Sequence, residues 1–412
     1  MSDYLQVERA WPEPAPEAPV LTHVSETGAN ALLEQYSSTS SFFFASPRFT
    51  LLGEGSLARL TPRADGQIGT SLSQWLDELR RDGVPDPVAV GALPFEVDAP
   101  PLLYVPAQMR RAGRLQHARL AKPAPAATGC VFTERPGADA YADSVRQALQ
   151  KMADSPLHKV VLARTLDVVS DANIDQAQLL RNLARSNPDG YSFAVDLPVA
   201  HRGCSPHRLI GASPELLLER RGTRVLANPI AGTLPRSRDP VEDARRCIAL
   251  TRSAKDLHEH ALVVDAVVEA LRPHCRLINC PPRPEVISTA TLWHLSTRVR
   301  AELRDPGISS LDLARALHPT PAVCGEPRAL AREVIGELEH FPRGLFTGMV
   351  GWCDAKGDGE WAVTIRCAEV EAGRARLYAG AGIVPNSVPE LEVTETAAKF
   401  RAMLDALRGD GP

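Results

Sequence analysis

The last sixty residues constrain this chain more than any other part. Three strand-like runs, Thr347–Cys353, Glu360–Glu369 and Ala375–Ala381, follow one another across short polar turns, one of them built on Gly357-Asp358-Gly359. Apolar runs joined so tightly pair as an antiparallel meander. A helical pattern from about Pro389 to Leu407 closes the chain. Upstream, Tyr141, Val145, Ala148, Leu149 and Met152 recur at helical spacing, and His158–Val169 then reads as a strand. Leu257, Ala261, Val264, Val268 and Leu271 mark one face of a second helix. Hairpins combined with several helices predict an α+β architecture over a doubly wound one. No period of 20–50 residues repeats, which excludes solenoids and propellers.

Nearer the N-terminus, Ser41–Phe44 and Arg48–Leu52 are short apolar runs bounded by Ser, Pro and Gly, and read as strands. Pro106–Pro136 is rich in Ala, Pro and Arg without a period, and reads as a hinge or long surface connection. The Pro- and Glu-rich start predicts a loosely ordered arm. The expected division is therefore an arm over 1–25, an N-terminal part over 26–135 packed on the body, and the main domain over 136–412.

Charge and cysteine content exclude several classes of function. Lysines and arginines number 46 against 50 acidic residues, a net charge of −4, so no nucleic-acid partner and no membrane surface is expected. No apolar stretch approaches the ~20 residues that span a bilayer. The start has neither a basic run nor an apolar signal core. The eight cysteines include no C-x-x-C pair and read as reduced thiols in a cytoplasm. Balanced charge and the lack of a coiled-coil heptad favour a monomer.

Single motifs each carry two readings. Leu51-Leu52-Gly53-Glu54-Gly55-Ser56-Leu57-Ala58 nearly spells a dinucleotide fingerprint, but the acidic residue at the right distance, Asp77, sits in a helical pattern; the other reading is a Gly turn. Gly380-Ala381-Gly382 lacks a third glycine because Pro385 stands there, leaving close approach of backbone to packing or to a ligand. His258 and His260 flank Glu259 on a helix, and residues two apart point about 200° from each other, so they cannot share a zinc ion. Glu392, Glu395 and Lys399 share a helical face: either a solvated stripe with an i,i+4 ion pair or a carboxylate pair for Mg²⁺. Arg366 rises among Ala362, Thr364 and Ala368 on one face of its run, and Lys159 begins a strand. Each is either an edge residue paired with a surface acid or a group aimed at a carboxylate substrate.

A set of ordered blocks goes further. KVVLART from Lys159, GASPELLLER from Gly211, NPIAGTLPRS from Asn228, KDLHEH from Lys255, TLWHLST from Thr291, HPTPAVCG from His318, GMVGWCD with GEWAVTIRCA between 348 and 368, and YAGAGIVPNSVPELEVTETAAK from Tyr378 span some 240 residues. Together they resemble the chorismate-utilising enzymes, and within them the isochorismate synthases of the catechol-siderophore type. The fold this resemblance implies is a large body of layered, mostly antiparallel sheets surrounded by helices. It places Lys159 as the base that activates water and Glu215 as the acid that protonates the departing hydroxyl. It implies Mg²⁺ on Glu259 and Glu395, with Glu392 a further carboxylate. Gly232, Thr233, Ala322, Val323, Arg366, Gly380, Gly382 and Lys399 would surround chorismate, the small-molecule substrate. A lysine acting as a base has to shed its proton, whereas an acid has to keep its own above the usual carboxylate range.

The sister reactions differ at a few of these positions. Ala231 stands where aminodeoxychorismate synthases keep a lysine nucleophile, and Lys159 where anthranilate synthases usually keep glutamine. Leu51-Leu52-Gly53-Glu54 lacks the serine of the tryptophan site of the latter. The resemblance thus implies water as the nucleophile and no glutaminase subunit. Salicylate synthases, which go on to eliminate pyruvate, and menaquinone-pathway isochorismate synthases are the neighbouring readings. A chorismate-binding protein without turnover would have lost Lys159, Glu215 or a metal glutamate, and all are present.

Overall fold

Three consecutive phenylalanines show how the sheets are layered. In the strand Ser40–Ala45 all six residues are buried. Phe42 and Phe44 point one way, their rings 6.3 Å apart and nearly parallel, while Phe43 points the other. A strand with apolar material on both faces needs no polar alternation. Phe42 and Phe44 join Leu51, Val90, Tyr104, Phe193, Val350 and Trp352 in a core between two large sheets. Phe43 packs under helices with Leu33, Leu180, Phe400 and Met403. On the far side, Leu76, Val264, Leu271 and Leu313 cover the second sheet. The layers run helices, sheet, sheet, helices. The structure, a computed structural model, describes residues 28–37, 39–60, 72–198 and 205–410, so the arm expected over 1–25 lies outside the described residues.

One sheet has ten strands and the other nine, with a third of three. Within the ten-stranded sheet, Lys159–Val169 lies beside Arg374–Ile383, followed by Cys367–Glu371, His207–Ser213, Tyr191–Asp196, Ser40–Ala45, Phe49–Glu54 and Gln108–Gly113. The nine-stranded sheet includes Leu216–Arg221, Gly359–Val363, Met349–Asp354 and Val88–Leu93. Ile230–Pro235, Leu292–Ser296 and Glu285–Ser288 make the small one. All pairings among the described strands are antiparallel, which is the α+β class expected. No helix among the described residues is long and apolar enough to cross a membrane.

Three expectations change in detail. The run Glu360–Glu369 is two strands, Gly359–Val363 and Cys367–Glu371, in different sheets. Arg366 between them is left-handed, with φ +52°, and so is Thr347, with φ +59°. Thr347 and Gly348 exchange backbone hydrogen bonds with Thr364, which ends the strand and turns the chain from one sheet to the other. The late meander is therefore two hairpins, one per sheet, and Arg366 lies in a crossing rather than on a strand face. The 106–136 region is only partly a surface connection. Gln108–Gly113 pairs with Phe49–Glu54, and Val131–Arg135 pairs with the end of Lys159–Val169. The near-fingerprint at Gly53 sits in an antiparallel strand between two others, and Asp77 lies in the helix Leu72–Arg81, which excludes a Rossmann unit.

Between the large sheets lies a buried acidic pair. Glu219 and Glu360 are opposite each other on adjacent strands. Arg48 and Arg221 both pair with Glu219, Arg48 at 2.7 Å. Burial, and then the charge of Glu219, pushes the Glu360 carboxyl up to about 8. A carboxyl raised in the folded state contributes its stability fully below its ordinary value of 4.5 and loses it as pH rises through about 8. Glu360→Gln is expected to remove that loss: in thermal unfolding the wild type should fall by roughly 3 °C more than E360Q between mildly acidic pH and pH 8. Parallel pH slopes would mean that the carboxyl titrates normally.

Candidate active site

Two chain crossings run side by side. Ser213, at the end of one ten-stranded-sheet strand, is followed by Pro214 and Glu215 before Leu216 enters the nine-stranded sheet. Thr364–Arg366 makes the return crossing. The N–H of Ala212 donates to the Arg366 carbonyl at 3.0 Å, and that of Val363 donates to the Glu215 carbonyl at 3.1 Å. Where the sheets part, a cavity that is partly open to solvent is bounded by the small sheet and by two helices.

Eleven of the thirteen residues expected at the site line this cavity: Glu215, Gly232, Thr233, Glu259, Ala322, Val323, Arg366, Gly380, Gly382, Glu395 and Lys399. The remaining two act one step behind. Lys159, fully buried, places Nζ 2.8 Å from Oε1 of Glu259. Glu392, also buried, takes an ion pair from Lys255 at 2.7 Å. Lys399 donates to Oε1 of Glu395 at 2.5 Å and to the Gly380 carbonyl at 2.7 Å. The i,i+4 pair read from spacing therefore exists, but at the cavity wall rather than in solvent.

Glu259 comes from the helix Ala254–Leu271, whose buried face is Glu259, His260, Val263, Val264, Val267, Val268 and Leu271. The face expected from spacing holds at Val264, Val268 and Leu271, whereas Ala261 is exposed, because the first turns of this helix meet the cavity instead of the apolar core. Gly382 is required here: a Cβ on it would lie 2.2 Å from Oε1 of Glu259 and 3.0 Å from Cε of Lys159. The histidines point apart as predicted, with His260 buried against the Thr297 hydroxyl at 2.7 Å.

Burial divides the charges. It pushes the Glu215 carboxyl up to about 8, against the N–H of Ile230 and the charges of Lys159, Lys399 and Arg366, so Glu215 is protonated at neutral pH. For Glu259, burial also raises, but Lys159 overcomes it and holds the carboxyl below its ordinary value. Burial lowers Arg366 to about 10, opposed by Glu395 and Glu215, which leaves it charged. Among the carboxyl, amino, guanidinium and imidazole groups that line the cavity, one was missed from sequence. His294, in the TLWHLST block, faces the cavity; burial, then Arg366 and Lys399, pushes it well below its ordinary value. Its Nδ1 lies 3.0 Å from Oγ1 of Thr233, while Nε2 has no hydrogen-bond partner among the described residues. The signal was the alternation Leu292, His294, Ser296 on one strand face. Phe346 and Tyr378, rings stacked 4.9 Å apart, form the apolar wall.

Glu259 and Glu395 together suit a hard divalent cation, which accepts one or two carboxylates and keeps its remaining ligands as water or substrate oxygen. No three acidic, imidazole or thiol side chains among the described residues form a ready-made cluster. The cavity wall thus offers a neutral acid, an arginine fork and two carboxylates, with a buried lysine directly behind one of them, a set for acid/base chemistry on an anion.

Known proteins share this chain's sequence and fold. The family model for chorismate binding enzymes matches residues 103–408. The isochorismate synthase DhbC of Bacillus subtilis is 49% identical over 393 residues, covering 94% of this chain and 98% of that one. The vibriobactin-specific isochorismate synthase of Vibrio cholerae is 41% identical over 384 residues, covering 92% and 94%. The solved structure of DhbC from Bacillus anthracis is similar with a TM-score of 0.87 at 49% identity, covering 92% of this chain and 99% of that one.

The electrostatics predict unequal stability effects from two similar substitutions. Glu215→Gln exchanges one neutral group for another and should change stability by under about 1 kcal/mol at pH 7. Glu259→Gln strips a buried lysine of its partner and should cost about 3 kcal/mol. Denaturant unfolding of both variants checks this; equal losses would contradict the division of charge.

Proposed function

The chain belongs to the chorismate-binding enzyme family, and we propose that it is an isochorismate synthase, whose product feeds the 2,3-dihydroxybenzoate of a catechol siderophore. The observation that carries this reading is a cavity-lining carboxyl raised to about 8 together with a fully buried lysine paired to Glu259 just behind the cavity wall. Chorismate is a dianion. Arg366 presents a planar fork to one carboxylate, and Lys399 supplies a second cation. Phe346, Tyr378 and Ile365 exclude bulk water around the ring.

Lys159, charged beside Glu259 in the resting site, first releases its proton, and then accepts one from a water molecule as that water's oxygen bonds to C2 of the ring. The ring double bonds shift, the C4–O bond breaks, and Glu215 gives its proton to the departing hydroxyl, which leaves as water. A proton taken up by Glu215 from solvent, balancing the one Lys159 first released, restores the site, and the net reaction is an isomerisation. Glu259 holds Lys159 in place, and Thr233 with His294 lines the side facing the small sheet. Mg²⁺ would be held by Glu259 and Glu395, with Glu392 behind them, and would supply Lewis-acid polarisation of the ring carboxylate. We take the described strands between 40 and 113 to complete the sheets of a catalytic part that spans the later residues, in keeping with a division near 135. We take the enzyme to act as a monomer in the cytoplasm, without a glutaminase subunit.

Incubating the protein with chorismate and Mg²⁺, without glutamine or ammonium, and separating the products tests this. A mixture of chorismate and isochorismate, lost on adding EDTA, is expected. Salicylate with pyruvate would move the chain to the bifunctional branch, and no conversion would overturn the proposal. Because the acid must be protonated, kcat should fall as pH rises through about 8. Glu215→Gln should lower kcat by at least about 100-fold, and a variant as active as wild type would remove Glu215 as the acid. Arg366→Lys should raise KM for chorismate about tenfold, since a point charge cannot replace a fork; an unaltered KM would make Arg366 structural.

A further inference from the structure

The strand that carries Lys159 is incompletely paired. Along one flank Lys159–Val169 is bonded to Arg374–Ile383 over nearly its whole length. The other flank meets Gly325–Glu326 at Lys159 and Val160, and Val131–Arg135 from Thr165 onward. Between them, among the described residues, Val161–Arg164 have no strand partner on that flank. Buried backbone groups left in such a gap are costly unless something else bonds them. The N–H of Val161 donates to the Cys324 carbonyl at 2.7 Å. Two further bonds come from side chains: Nη2 of Arg343 donates to the Val161 carbonyl at 2.8 Å, and the N–H of Ala163 donates to Oε1 of Glu339 at 2.7 Å.

Those two side chains form one buried unit. Arg343 donates to Glu339 twice, Nη2 to Oε1 at 2.5 Å and Nε to Oε2 at 2.8 Å, and the side chains are 2% and 3% exposed. Through Nη1 the same guanidinium donates to the Val323 carbonyl at 2.7 Å and to Oγ1 of Thr347 at 3.3 Å. Its central carbon lies 4.4 Å from the centre of the Phe95 ring. Val161, Val323 and Thr347 all line the cavity, whereas Arg343 does not.

We propose that Arg343, locked by Glu339, is a positioning residue that replaces the missing strand segment beside Lys159 and thereby fixes the Lys159 strand against the Val323 and Thr347 wall of the cavity. The consequence for turnover rests on the isochorismate synthase reading. Arginine is needed because one planar fork reaches the Val161 and Val323 carbonyls and the Glu339 carboxylate at once, which an ammonium on a flexible stem does not. A misplacement of about 1 Å at a reacting group can slow a reaction by about a hundredfold.

Two variants test it. Arg343→Met with Glu339→Gln leaves no buried charge unpaired and keeps an acceptor for Ala163, so folding is retained; Arg343→Lys keeps the charge and removes the fork. At a temperature where circular dichroism shows both fully folded, kcat/KM for chorismate should fall by at least about tenfold in the double variant and by less in Arg343→Lys. Amide exchange over 160–164 and 320–324 should speed up, while the hairpin over 40–54 stays as in wild type. Folded variants with kcat and KM within about twofold of wild type would overturn the proposal. So would exchange that quickens everywhere alike, which is the mark of a purely stabilising pair. If the double variant does not fold, Arg343→Lys decides by the same readouts. A wild type that converts no chorismate would remove the functional reading, and the exchange measurement would then decide the clamp by itself.

Discussion

The paired crossings at Ser213–Glu215 and Thr364–Arg366 are the constraint on which the site depends. A chain that leaves one sheet for another opens the space between them, and the two backbone bonds that tie the crossings, Ala212 to Arg366 and Val363 to Glu215, hold that opening at a fixed width. Residues in the crossings belong to neither sheet, so their side chains enter the opening. That is why a glutamate and an arginine, both buried, face the same space from adjacent segments. The left-handed backbone at Arg366 is a local cost that the surrounding bonds impose.

Burial then sets the protonation states because its effects are divided unequally. Glu215 has a backbone donor and more distant cations, and desolvation wins; Glu259 has Lys159 at 2.8 Å, and the ion pair wins. Two carboxyls in one cavity thus stand on opposite sides of neutrality, the arrangement acid/base catalysis requires. Lys255, Lys159 and Lys399 each sit on one of the three carboxylates Glu392, Glu259 and Glu395. Since a buried charge is tolerable only with a partner, these lysines keep the carboxylates in place.

Much of the fold was legible where local pattern and tertiary environment agree. The strand from Lys159 and the helix from Pro389 have clear periods and form as read. The break after Val363 was not legible, because Thr364-Ile365-Arg366 continues a β-like alternation and only the bonds from Thr347 and Gly348 end it. Gln108–Gly113 was missed since four of its six side chains are polar or glycine, and its strand character comes from pairing with Phe49–Glu54. At the site, single residues stayed ambiguous because their partners lie far along the chain, as Lys159 and Glu259 do. Ordered blocks supplied the grouping that spacing could not. His294 escaped notice because a histidine in an apolar strand is ordinarily a packed core residue.

Conversion of chorismate in water enriched in oxygen-18, followed by mass spectrometry of both compounds, reads the origin of the new hydroxyl directly. If Lys159 activates a solvent water and Glu215 releases the C4 hydroxyl, isochorismate carries one labelled oxygen from the first turnovers. Isochorismate that forms without label would mean the hydroxyl moves within the substrate, and the pairing of a neutral acid with a buried lysine would have to serve some other step.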